Sequence, residues 1–389
     1  MSNQRESEEA TQLLSVASSG SGLSPRLLRA PGGFLWWYLD LVDDTGDGLV
    51  VIWSFGLPFL PGYTEAARRG RPQMPKSRPS INVATYRQRK LDFYLLQEFD
   101  PTDVEWNRTD SGDRWRFGRS ILASEVSGQT RQLALALWLE VPRFDEPAIV
   151  EVDAEGPGCR LVEETHDPTR RNGVLRTGHD WVPLLCASDA GAMLSVGDER
   201  SEWTGRLYHD RNGGSVPLHE LGIDRWLWGR IAMPDRDVIY YVLDAKSGGG
   251  QSLVMTVDSD GRMTMREEIS IERPPSCTTI AGLDWWPSCD LRRDQKPDLS
   301  VEHGDVVDQG PFYLRSLSTA RDRDGKLHRG VAEVCDPDRV DLWHHRPLVK
   351  MRVDRPGAAN SMWLPLFSGP RRGRLRRMLR SLWPGRGER

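Results

Sequence analysis

Short runs rich in β-branched and aromatic residues recur from Phe34 to Cys335, bounded by Gly, Asp, Asn or Pro and not interleaved with helix-length periodic segments. That rhythm argues for an all-β sandwich or barrel and against alternating βα units. FLWWYLDLVDDTGDGLVVIWSFG, from Phe34 to Gly56, reads as a hairpin about its Asp- and Gly-rich centre. SINVATYR, KLDFYLLQEF, DRWRFGRSILASEV, RQLALALWLEV and DWVPLLCASDAGAMLSVG follow at short intervals. LALALWL also has the composition of a short helix, but strands on both sides assign it as a strand. Lys246 to Gly250 reads as a domain boundary, after which the pattern resumes with a hairpin about Asp258 to Gly261 and a turn at Asp322 to Gly325. The expected organisation is a disordered lead-in over 1–27, β domains over 28–248 and 249–368, and a basic tail over 369–389. Between the first strands, Pro58 to Pro79 carries five prolines, long enough to be a functional loop and a candidate cover for a barrel mouth.

The stretch from Glu202 to Arg230, with Gly178-His179-Asp180-Trp181 upstream, concentrates reactive side chains. In an extended chain successive side chains alternate, so Tyr208, Asp210 and Asn212 share one face and His209 and Arg211 the other. His179 and Trp181 have the same spacing. Two strands can thereby aim an imidazole, an indole, a phenol and a carboxyl into one cavity. The competing reading takes Asp210 to Gly214 as a turn, since Asp, Asn and Gly are turn formers. Fifteen Trp against eight Tyr and nine Phe supply wide apolar walls, for a core or for a greasy pocket.

A net charge of −4 makes no general case for nucleic-acid binding. The charge is segregated, however: residues 371–389 carry eight Arg and one Glu, a net of +7, leaving −11 on the rest. There Leu375, Met378, Leu379, Leu382 and Trp383 fall at helical spacing among Arg374, Arg376, Arg377 and Arg380, stopped by Pro384-Gly385. Such an amphipathic helix suits an anionic membrane surface, with Leu375, Leu379, Leu382, Trp383, Arg376 and Arg377 as contacts. The alternative is docking on the acidic body of the same chain. The N-terminus is polar and acidic, without a signal-peptide pattern, and no apolar run has transmembrane length. The expected location is cytoplasmic, peripherally associated with the inner or an intracytoplasmic membrane. Five scattered cysteines without a CxxC pair read as free thiols. His328, Cys335, His344 and His345 lack a recognised metal-ligand spacing, and no metal is expected.

Taken in order, FLWWYLDLVDD with GLVVIWSFG, INVATY, GHDW, GRLYHDRNGG with RWLWGR, PFYLRSL, and EVCDPDRV with Trp343 and Arg346 resemble the carotenoid 1,2-hydratase (hydroxyneurosporene synthase) family. The resemblance spans about Gly32 to Arg355. It implies two lipocalin-like β domains and a cofactor-free hydratase acting on acyclic carotenoid ends, with the pathway's other enzymes as possible partners. The family's His-x-Trp and Tyr-x-Asp pattern falls on His179, Trp181, Tyr208 and Asp210. The arginine-rich tail and polar lead-in depart from the family core. Related lipocalin-like proteins include carriers and pericyclases, so fold alone does not fix the reaction.

The chemistry is consistent with those residue types. An isolated trisubstituted alkene is a poor base, and hydrating it needs a strong, fixed acid and surroundings that tolerate a tertiary cation. A carboxyl in an aromatic pocket stays protonated near neutrality because burial disfavours its charge. Asp210 is the candidate acid toward C2, Tyr208 orients it, and His179 holds or deprotonates the attacking water. Trp181, with Trp226 or Trp228, offers π faces to the charge at C1, and Asn212 is a candidate substrate contact. The alternatives are a lipocalin-like carrier without chemistry and an isomerase or cyclase on the same scaffold.

Overall fold

The computed structural model describes residues 13–109, 112–162 and 178–382, with side chains to 379. Strands dominate, in two large sheets. The first runs, edge to edge, through Val353–Asp354, Lys90–Glu98, Pro79–Arg87, Gly48–Phe55, Phe34–Val42, Glu199–Gly214, Asp180–Val196, Ala148–Pro157, Thr130–Leu139, Ser120–Ser127, Gly112–Phe117 and Val104–Thr109. The LALALWL segment is therefore a strand, and Asp210 to Gly214 is strand rather than turn. The second sheet is built on Gly250–Asp258, Arg236–Ala245, Ile223–Ala232, Leu327–Cys335, Tyr313–Asp322 and Lys296–Gln309, with short strands at both edges.

Ring contacts show how the first sheet curves. Trp37 lies 5.1 Å from Trp115, centroid to centroid, and Trp53 lies 4.2 Å from Phe117, although five strands separate Phe34–Val42 from Gly112–Phe117. The sheet curls as a half-barrel around its own core of Leu35, Trp37, Leu39, Val51, Trp53 and Phe55. The second sheet has a core of its own, including Leu227, Ile231, Tyr240, Val254 and Val334. Between the sheets lies a third apolar layer, to which the first contributes Trp36, Tyr38, Trp181 and Tyr208 and the second Trp226, Trp228, Tyr241 and Leu243. Every residue of Phe34–Val42 is consequently buried: odd positions face the half-barrel core, and even positions face the other sheet.

Three expectations about organisation need correction. Residues 13–27 were read as part of the disordered lead-in. In fact Ser15–Val16 pairs in parallel with Asp180 and Trp181, and the amides of Leu13 and Leu14 donate to Gln251 Oε1 at 2.9 and 3.0 Å. The segment thereby spans both sheets, while residues 1–12 lie outside the described residues. Lys246 to Gly250 is a hairpin connection within the second sheet, closing Arg236–Ala245 onto Gly250–Asp258. Sheet membership changes instead over 215–222, and the chain returns late to the first sheet, where Val353–Asp354 and Gly369–Pro370 cover Lys90–Glu98. All five cysteines are free thiols, as expected.

A buried ion cluster ties the layers together. Arg230, in the second sheet, donates to Asp40 of the first at 2.5 Å and to Asp237 of its own sheet at 3.0 Å, all three inaccessible to solvent. Asp237 also accepts from the Ala187 amide at 2.7 Å. Burial pushes the Asp40 carboxyl up to about 7 against the pull of Arg230, with Asp237 adding to the rise. Removing the guanidinium leaves two buried carboxyls without their cation. Arg230→Met is expected to cost roughly 3–5 kcal/mol, read as a lowered urea midpoint at pH 7.

Candidate active site

Two cross-strand rows form facing walls of a cavity of about 100 Å3 between the sheets. On the first sheet, ladder partners in sequence across the strands are Asp210, Tyr38, Ile52, Asn82 and Leu96. On the second they are Tyr241, Trp228, Glu333, Arg315 and Asp308. All ten line the cavity. Residues directly opposite in a ladder share a face, so each row follows from register alone. Trp181 lies 5.8 Å from the Tyr241 ring and Tyr38 lies 5.1 Å from that of Trp228, aligning the Asp210 end of one row with the Tyr241 end of the other.

Asp210 is 3% exposed and receives three donors. Its Oδ2 accepts from Tyr208 Oη at 2.6 Å and Trp181 Nε1 at 2.7 Å, and its Oδ1 from Asn212 Nδ2 at 2.9 Å. Burial raises the carboxyl to about 7, opposed by Tyr208 and Trp181 and reinforced by the Glu333 and Asp40 charges. With two donors on Oδ2, Oδ1 has the freer lone pair for a transferable proton. Once that proton leaves, the same three donors receive the negative charge. The group is thus a neutral acid with a prepared seat for its conjugate base.

His179 and Tyr208 stand behind the cavity wall rather than in it. His179 Nε2 lies 3.0 Å from Asn212 Oδ1; since the Asn212 amide nitrogen is committed to Asp210, His179 donates through Nε2–H. Burial lowers its pKa to about 4, against the Asn212 hydrogen bond, so the ring is neutral. Phe34 and Trp36 pack on it, with centroids 5.5 and 5.8 Å away. His179, expected to hold or deprotonate the attacking water, makes its side-chain contacts through Asn212 to Asp210, as a positioning chain. Gly214 permits this approach, since a Cβ there would lie 2.3 Å from the Gly178 carbonyl. The structure brings Trp181, Tyr208 and Asn212 together around Asp210, and Asn212 spends its amide on the acid and on His179. Trp226 and Trp228 line the cavity. His209 faces away, with Nδ1 2.9 Å from the Tyr38 carbonyl.

Apart from Trp228, the second row escaped sequence reading, as did Tyr38. Arg315 Nε donates to Glu333 Oε1 at 2.8 Å and Arg315 Nη1 to Tyr86 Oη at 2.8 Å, while Arg352 donates to Asp308 Oδ1 at 2.5 Å. These pairs give the far end of an aromatic cavity a charged wall. The Pro58 to Pro79 loop covers this region: Phe59 stacks on Phe312 at 5.1 Å, and Arg68 pairs with Asp338 and Asp341 of the following segment. Two histidines weighed as metal ligands are otherwise engaged, His328 with Asp322 and His345 with the Arg339 carbonyl.

At the C-terminus, Arg374–Leu382 forms a helix. Leu375 and Leu379 are 63% and 55% exposed, and Arg376 is exposed. Arg377, expected at a membrane surface, is instead turned inward, donating to the carbonyls of Ser368, Pro370 and Arg372 and lying over Phe144. The Leu382 side chain and Trp383 lie outside the described residues. Among those residues no helix is long and apolar enough to cross a membrane.

Because the Asp210 pKa is raised from an unfolded value near 3.8, its contribution to stability is fully present below about pH 4 and is lost as pH rises through about 7. Asp40 has the same sign. Thermal melts at pH 5 and pH 8 are expected to show wild type losing stability across the interval, and Asp210→Asn losing less.

Comparison with known proteins places these features in a family. A protein of Chlorobaculum tepidum named hydroxyneurosporene dehydrogenase is 25% identical over 87% of this chain and 91% of its own length. The acyclic carotenoid 1,2-hydratase of Thiocapsa roseopersicina is 26% identical over 75% of this chain, which spans 65% of that relative. The Rubrivivax gelatinosus protein of the same name is 27% identical over 74% of this chain and 65% of its own. Among solved structures, an AttH protein from Nitrosomonas europaea superposes with a TM-score of 0.53 at 14% identity, covering 82% of this chain and 97% of its own. The protein CghA gives 0.51 at 11% identity over 79% and 88%. These likenesses concern the lipocalin-like fold alone. The profile of the carotenoid hydratase CrtC family matches residues 165–361, just over half of the chain and the part that carries His179, Trp181, Tyr208, Asp210 and the second cavity wall, and the chain belongs to that family.

Proposed function

We propose that the protein adds water across the terminal 1,2 double bond of an acyclic carotenoid such as neurosporene or lycopene, giving a 1-hydroxy carotenoid by acid catalysis with its own side chains. The observation that carries this reading is Asp210, a buried carboxyl whose pKa is raised to about 7, held by three donors at the wall of an aromatic cavity. Asp210 gives its proton to C2 and the cation develops at C1. The Trp181, Trp226 and Trp228 rings face that charge, with cation–π energies of about 2 kcal/mol each when desolvated. Water then forms the C1–O bond and releases a proton. The relatives and family membership support the substrate class, the raised acid supports proton donation near neutrality, and the stability of a tertiary cation directs water to C1.

Incubation with lycopene or neurosporene in oxygen-18 water under argon is expected to give labelled 1-hydroxy product; its absence with every acyclic carotenoid tried overturns the reading. Asp210→Asn is expected to lower kcat by about 100-fold or more while the carotenoid is still retained. Retention by both proteins without turnover by wild type identifies a carrier. Since the acid acts while protonated, kcat is expected to fall as pH rises through about 7.

Substrate delivery is part of the proposal. Carotenoids reside in bilayers, and the exposed Leu375, Leu379 and Arg376, with Leu382, Trp383 and the remaining tail arginines, suit peripheral contact with an anionic cytoplasmic leaflet. Each basic residue near such a surface contributes about 1 kcal/mol, screened by salt. Truncation after Pro370 removes the Arg377 contacts as well, so it is paired with Leu375→Ser/Leu379→Ser. Both variants are expected to sediment less with anionic vesicles at low salt and to turn over membrane-held substrate more slowly than detergent-dispersed substrate.

A further inference from the structure

The proposed hydration needs two proton transfers: one to carbon, and one from the water that captures the cation. His179 is committed to Asn212 and lies behind the wall, so the second transfer has no acceptor among the residues of the His-x-Trp and Tyr-x-Asp pattern other than Asp210 itself. A second carboxyl lines the cavity. Glu333 sits directly opposite Trp228 on one side and Arg315 on the other, in the middle of the second-sheet row. Arg315 Nε holds its Oε1 at 2.8 Å, and Arg315 is itself fully buried with a further bond to Tyr86 Oη. This is a built position for a carboxylate.

Alignment of the two rows brings Glu333 toward the acid. Asp210 flanks Tyr38 on the first sheet, Glu333 flanks Trp228 on the second, and the Tyr38 and Trp228 rings meet at 5.1 Å between them. The two carboxyls thus flank the same ring pair from opposite sheets of one cavity, and the Glu333 charge acts on Asp210. Among the described residues, Tyr38 Oη and Trp228 Nε1 are both buried without a hydrogen-bond partner. Of the charged groups acting on Tyr38, Glu333 acts most strongly.

We propose that Glu333 is the catalytic base of the reaction, taking a proton from the water that attacks C1 while Tyr38 Oη orients that water. The inference rests on the hydration reading above. In the step, the C1=C2 electron pair forms the new C2–H bond with the Asp210 proton. A water lone pair forms C1–O, and one water proton passes to a Glu333 oxygen. Asp210 ends as carboxylate and Glu333 as carboxylic acid; one proton returned from Glu333 to Asp210 through solvent restores the starting state.

The test separates the two transfers in heavy water. Without a base the cation still forms at Asp210 but collapses by returning a proton, so deuterium enters recovered substrate without hydration. Glu333→Gln is expected to lower kcat for hydration by about 100-fold or more, with KM little changed, while deuterium wash-in persists. Glu333→Asp is expected to recover part of the hydration, and Asp210→Asn to lose both hydration and wash-in. If Glu333→Gln alone does not fold, Arg315→Met/Glu333→Gln removes both charges and is read in the same way. Hydration by the folded variant within about threefold of wild type, or loss of wash-in together with hydration, overturns the assignment. Failure of wild type to hydrate any acyclic carotenoid instead overturns the underlying reading, and Glu333 falls with it.

Discussion

Burial on both faces of the central strands is the constraint on which this molecule depends. A strand with one face in water can carry polar residues there without cost, whereas Phe34–Val42 and the second half of Glu199–Gly214 have no such face. A polar side chain between the sheets therefore costs free energy unless it finds a partner inside the protein. Asp40 does so through Arg230, and Asp210 through Tyr208, Trp181 and Asn212. The partners differ in charge, a guanidinium in one case and three neutral donors in the other, yet burial is the largest influence on both carboxyls and raises each to about 7.

The same constraint separates positioning from contact. Tyr208 and His179 are fully buried and hold the acid or its partner, yet neither lines the cavity. Tyr38, one strand over, does. Substitutions behind the wall act through the placement of Asp210, and those in the wall act on what the cavity contains.

Much of this was legible in the chain. Recurring short runs with Asp- and Gly-rich turns indicated the strands, LALALWL only through its strand neighbours. The spacing of His179 with Trp181 and of Tyr208, Asp210 and Asn212 allowed each set one face while leaving a turn at Asp210 to Gly214 as the competing reading. What was not legible depends on register between distant strands. Nothing near PFYLRSL or EVCDPDRV indicates that Arg315 and Glu333 complete a wall opposite Tyr38, because that row exists only once five second-sheet strands are paired. Lys246 to Gly250 has linker composition yet closes a hairpin, since glycine serves tight turns and linkers alike. The lead-in at Ser15 carries no strand signal of its own; the exposed backbone of Asp180 and Trp181 gives it one.

The late return of the chain to its first sheet also bears on synthesis. Lys90–Glu98 would be a sheet edge but for Val353–Asp354 and Gly369–Pro370, which lie more than 250 residues further along. While the ribosome is still making the second sheet, that edge presents unpaired amides and carbonyls beside an apolar face, a template for pairing with another nascent chain. Closure waits for segments that follow the whole of the second sheet, so the edge stays open while that sheet is made.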